Sequence, residues 1–192
     1  MCRRPALESG GGVLYGIWRS QIGRPRDELN VITHWPDAPA GEAAMAALLA
    51  GHADVAGSEH WTMTPTLRPR ADDPPTRQGN YAFRQFRTPP RHWDEFLHLC
   101  AQAWPGFEAS YPDSQVIGLW RYDGGDPALI DSVMLTRRPD LAAWERTKLP
   151  QGEREIEVRR MLSRRYDLCD ATCVHTTTLL TASDRVDDAR WA

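Results

Sequence analysis

The chain is 192 residues long, enough for one large domain or two small ones with a real core. Hydrophobic residues make up 41% and charged residues 26% at a net charge of -3, which reads as a globular protein with no basic footprint for nucleic acid or an anionic membrane. No apolar run approaches the roughly 20 residues that span a bilayer, and the opening MCRRPALESGGG lacks the apolar stretch of a secretory signal. Cysteines at 2, 100, 169 and 173 are too sparse for a disulfide scaffold, so a reducing cytoplasm is the expected location.

Residues 1–12 read as a lead ending in three glycines. Val13 to Arg19 and Glu28 to Trp35 read as a hairpin around Gly23-Arg24-Pro25. A helix is expected from Pro39, with Gly51 as its stop. Trp61 to Leu67 reads as a strand held to an edge or bulge by Pro65. Residues 69–78 are polar, with Pro74-Pro75 inside, and read as a linker.

Beyond it, Asn80 to Arg87 is an expected strand and His92 to Ser110 an amphipathic helix ended or kinked by Pro105. A hairpin comes next, Ser114–Tyr122 and Leu129–Arg138, around Asp123-Gly124-Gly125-Asp126-Pro127. Asp140 caps a helix reaching Lys148. A second helical piece, Glu153 to Tyr166, buries Ile156, Met161 and Leu162, and its arginine pairs 159–160 and 164–165 read as a solvated face. Ala171 to Thr181 is the last strand, with a charged tail after it.

Leu14 to Asp37 and Val116 to Asp140 are alike: Gly16-Ile17-Trp18-Arg19 answers Gly118-Leu119-Trp120-Arg121, and Thr33, Pro36 and Asp37 answer Thr136, Pro139 and Asp140. The order is ββαβ over 13–68 and βαββαβ over 79–182. The expected fold is therefore α+β, with tandem ferredoxin-like repeats, the first lacking its opening β-α. A truncated repeat and a start assigned too late both account for that lack.

Glu95-Phe96-Leu97, Ala103-Trp104-Pro105 and Gly118-Leu119-Trp120-Arg121 resemble the NIPSNAP family, as does Gly16-Ile17-Trp18-Arg19 with Ile22-Gly23. Tyr81-Ala82-Phe83-Arg84 matches its first strand loosely. The resemblance implies a dimeric α/β-barrel fold, in which two four-stranded sheets enclose a cavity. It implies relatives that include cofactor-free monooxygenases, isomerases, decarboxylases and haem enzymes. One departure stands out. Where the family's second hairpin strand alternates His, Trp and Tyr, this chain has Met134, Thr136 and Arg138, and Val31, Thr33 and Trp35 in the first copy.

Period-two alternation places Tyr81, Phe83, Ile117, Leu119, Val133 and Leu135 under the helices. Ala82, Arg84, Phe86, Gly118, Trp120, Met134, Thr136 and Arg138 then face the barrel interior, with Trp18 and Thr33 as first-copy equivalents. Arg84 is able to clamp a carboxylate or enolate in a guanidinium fork. The structural alternative pairs it with Asp131 or a carboxylate of the facing sheet. His34 and His175 are the expected acid/base groups. Trp18, Trp120, Phe86, Met134 and Thr136 are the expected substrate contacts. Cys169, Cys173 and His175 are too few for a zinc site. No P-loop, GxSxG, GxGxxG or HExxH is present. No cofactor and no metal are expected.

The leading reading is a small-molecule-binding barrel protein, a cofactor-independent enzyme for isomerisation, proton transfer or oxygenation of a planar metabolite. The alternative is a non-catalytic module that forms a homodimer, or pairs with another protein, through its incomplete first half. A haem variant ranks third, because no residue marks an axial ligand.

Overall fold

Runs of β-branched and aromatic residues bounded by Gly and Pro become strands. In the computed structural model, which describes residues 10–50, 52–70, 73–122 and 124–185, these are β1 (Val13–Ile22), β2 (Leu29–His34), β3 (Met63–Pro65), β4 (Asn80–Thr88), β5 (Gln115–Tyr122), β6 (Ile130–Arg138) and β7 (Ala171–Leu179). The helices are α1 (Ala38–Ala50), α2 (Pro90–Ser110), α3 (Leu141–Arg146) and α4 (Glu153–Asp167). Gly51 and Asp123 lie outside the described residues, as do the start of the lead, part of the linker and the end of the tail.

Local chemistry sets the boundaries. Asp140 caps α3 by accepting from the Ala143 amide at 2.7 Å. Pro90 starts α2, where its missing N–H costs nothing. Pro105 lies inside α2, which runs on to Ser110 rather than ending there. The strand expected over Trp61–Leu67 shrinks to three residues closed by Pro65, which has no amide to donate.

All described strands join one antiparallel sheet in the order β2-β1-β7-β4-β6-β5-β3. Its inner part, β7-β4-β6-β5, has the ferredoxin-like order. The segment before the linker does not build a second sheet. It adds β1 and β2 to the β7 flank and β3 to the β5 flank. The sheet curls strongly. β1 and β5 stand four places apart, about 19 Å in a flat sheet, yet the rings of Tyr15 and Trp120 are 6.1 Å apart.

The concave side carries an aromatic core. Trp18 meets Tyr81 and Phe83 edge-on at 6.0 and 5.4 Å, and Leu135, Leu179 and Trp120 complete a buried cluster. The convex side carries α2 and α4, with Phe86, Leu119 and Met134 packed against Phe96, Trp104 and Phe107. Each such side chain contributes about 1.5–3 kcal/mol by leaving water.

The expected faces are therefore corrected. The alternation is real, but Tyr81, Phe83, Ile117, Val133 and Leu135 fill the barrel, while Ala82, Arg84, Phe86, Met134, Thr136 and Arg138 face the helices. Leu119, under the helices, and Trp18, Trp120 and Gly118, on the barrel side, lie where expected. A bulge between Val116 and Gly118 shifts β5 by one residue against β6, so a single alternation cannot phase both strands. Ile156 is a further correction: it is exposed, and Val158 takes the buried position on α4.

Candidate functional site

Trp18, Tyr81, Phe83 and Leu135 occupy the barrel centre, and a separate cavity lies on the other side of the sheet. A cavity of about 310 Å³ opens between the sheet and the helices. Its floor is β4 and β6. Arg84 pairs across with Met134, Ala82 with Thr136, and Asn80 with Arg138. Arg84 and Arg138 thus flank the small pair Ala82–Thr136, and that smallness leaves the room. α2 supplies Trp104 and Phe107 as a wall. α4 supplies Val158, Leu162, Arg165 and Tyr166, one face at spacings of three and four. Trp144 and Lys148 stand at the mouth.

Four arginines and no carboxylate line this cavity; Arg159 is exposed, and the other three are Arg84, Arg138 and Arg165. Arg165 is only 2% exposed; its guanidinium carbon lies 4.8 Å from the Phe86 ring, 5.3 Å from Tyr166 and 5.8 Å from Phe96. It donates to the sulfurs of Cys100 and Met134, each at 3.4 Å. Arg138, 8% exposed, donates to Thr136 Oγ1 at 2.9 Å and lies over Phe107. Arg84 lies over Tyr166 at 5.3 Å. Among the described residues none of the three forms an ion pair. Asp131, the acid expected beside Arg84, pairs with Arg87 at 3.0 Å.

The electrostatics reflect this crowding. Burial and then the charge of Arg84 push Arg138 down to about 10. Burial lowers Arg84 as well; Tyr166 opposes this and the Arg165 charge adds to it. No Asp, Glu or His is among the lining residues. The Nε atoms of Arg138 and Arg165 and the indole Nε1 of Trp104 are buried donors with no hydrogen-bond partner. Buried donors left so cost free energy until an acceptor arrives.

The residues expected to act together are divided by the sheet. Arg84, Met134 and Thr136 line this cavity, and Phe86 lies behind it under Arg165. Trp18 and Trp120 are in the filled barrel. His175 is there too, stacked on Phe83 at 5.4 Å and 3.2 Å from Asn30 Nδ2; burial, and then Arg24, lowers its pKa. His34 stacks on Tyr15 at 4.5 Å and lines a separate cleft of about 680 Å³ between β2 and β3, beside Trp35 and Trp61. Neither histidine reaches the Arg84 cavity.

Sequence reasoning missed Arg165 altogether and set it on a solvated face. The available signal was its spacing from Val158 and Leu162, seven and three residues back. Among the described residues no three His, Cys, Asp or Glu side chains gather as a metal site. No described helix is long and apolar enough to cross a membrane.

This architecture is a mixed α+β fold, a curled antiparallel sheet with helices on its convex side. An anthrone oxidase-like protein superposes with a TM-score of 0.59 at 16% identity, covering 93% of this chain and 82% of that one. A monooxygenase-like protein from Lactobacillus acidophilus NCFM superposes at 0.49 and 11% identity, covering 95% and 85%. At 16% identity the first likeness concerns the fold alone. No family model matches the chain, and no curated protein sequence matches it.

Proposed function

We propose that the chain is a NIPSNAP-like small-molecule-binding barrel protein that holds a planar, anionic metabolite in the arginine cavity and acts on it without a cofactor, by isomerisation, proton transfer or oxygenation. One observation carries this reading: the buried Arg138 and Arg165 and the half-buried Arg84 line one cavity whose lining contains no carboxylate. Aromatic walls from Trp104 and Phe107 suit a flat ring, and the volume admits two or three fused rings. In this reading Arg84 and Arg138 hold the anionic end, and Met134 and Thr136 contact the ring. His34 and His175 take no part. One fold neighbour is named for the oxidation of anthrone, a planar aromatic ketone, which agrees with this class of ligand.

A duplicated origin belongs to the same reading. Both hairpins carry a bulge at the same place, between Leu14 and Gly16 and between Val116 and Gly118. In both, a Cβ on the glycine would strike the tryptophan two residues on, Trp18 or Trp120. The test is calorimetric titration with 1-naphthoate. Micromolar binding that is lost in Arg84→Gln and Arg138→Gln supports the reading; binding that survives both substitutions refutes it.

The second reading is assembly through β2. This edge strand, LNVITH, has no charge and no proline, and it exposes Leu29 and Val31, whereas the β3 edge is short and ends in Pro65. A homodimer formed edge to edge, or a hetero-partner strand, would cover it. Light scattering at micromolar concentration decides: a monomer sinks this reading.

A further inference from the structure

The polar groups of the arginine cavity are one-sided. Guanidiniums and the Trp104 indole only donate hydrogen bonds. The side-chain oxygens among the lining residues are neutral hydroxyls, and that of Thr136 already accepts from Arg138. The sulfurs of Cys100 and Met134 are weak acceptors turned toward Arg165. A neutral ring hydroxyl placed between Arg84 and Arg138 would direct its own donor at two cations. Its ionised form would accept from both.

We propose that the cavity takes a weakly acidic phenol or enol as its oxyanion, so that binding itself ionises the ligand and no side-chain base removes the proton. This rests on the reading of the cavity as the ligand site. The step is balanced: the O–H bond breaks, its electron pair stays on the ligand oxygen, and the proton passes to solvent water at the mouth beside Lys148. No oxidant is needed for it. The electron-rich ring that results is the form that undergoes keto–enol isomerisation or meets dioxygen. The absence of Asp, Glu and His from the lining is then a property of the mechanism. A second cation within contact distance typically lowers an acid by one to three units, so a shift of about two units is expected here. The anion then binds about a hundredfold tighter than the neutral phenol.

The probe is 4-nitrophenol, whose anion absorbs at longer wavelength than the acid. The full-length chain in excess is titrated against pH, with 4-nitroanisole and 4-nitrobenzoate as companions. The expected result is an apparent pKa for bound nitrophenol about two units below the free value, a smaller shift in Arg84→Gln, tight nitrobenzoate and weak nitroanisole. Nitrophenol bound with its free pKa, or nitroanisole bound equally well, overturns the proposal while the ligand site stands. Binding of none of the three overturns the ligand site as well. The wild-type titration decides even if the variant fails to fold.

Discussion

Replacing Arg165 by methionine should stabilise the empty protein and weaken its hold on an anion. Taking a guanidinium out of water costs several kcal/mol even after the surroundings relax. Three ring contacts, at 4.8, 5.3 and 5.8 Å, offset about 1 kcal/mol each. The Cys100 thiol, pushed up by burial, is neutral at pH 7, so it gives Arg165 an acceptor and no counter-charge. The deficit is about 1–3 kcal/mol, which an anion in the cavity removes. Methionine continues the apolar surroundings of Phe86, Phe96 and Met134 and leaves no charge behind. R165M should therefore unfold about 1–3 kcal/mol later in urea, and melt roughly 2–4 °C higher for each kcal/mol gained. Binding of 1-naphthoate should fall at least tenfold. The reasoning is refuted if a natively folded R165M, judged by circular dichroism, is less stable than wild type by more than about 1 kcal/mol with no anion present.

Gly16→Ala and Gly118→Ala should each lower stability by about 1–3 kcal/mol, because the new methyl meets Trp18 or Trp120 inside the filled barrel; equal losses in thermal melts are expected from the equal geometry. Glu108→Gln should cost about 1–2 kcal/mol in urea unfolding, because Glu108 receives Arg68 at 2.6 and 3.1 Å and the Val116 amide at 2.9 Å. Burial lowers the His175 pKa, so the unfolded chain binds the proton more readily. The contribution is complete above about pH 6.5 and is lost as pH falls below it through the folded value; His175→Gln should flatten urea stability over that range.

Strand positions were readable because β-branched runs and prolines mark them locally. The side of the sheet was not. Tyr81 and Phe83 on one face and Phe86 and Met134 on the other are equally apolar, so hydrophobicity alone leaves the helix side open. The β5 bulge then removed the phase that would have linked the strands. Arg84 stood out because an arginine on an apolar strand is unusual, and it lines the cavity between sheet and helices. Arg165 was hidden among the charges of EREIEVRRMLSRRYD, where composition outweighs spacing. The separation of His34 and His175 from Arg84 depends on which face each strand turns inward, and so inherits the same ambiguity.

The way the first segment joins the sheet has a mechanical consequence. β1 and β3 are near in sequence but grip opposite flanks, β1 on β7 and β3 on β5. Arg68, just before the linker, is tied to Glu108 and to the Val116 carbonyl. The segment therefore acts as a two-armed clasp around the β7-β4-β6-β5 core. A protease that cuts the linker would leave two polypeptides that travel through a column as one, and only denaturant would part them. Cleavage patterns alone would report two domains where the hydrogen bonds form one body.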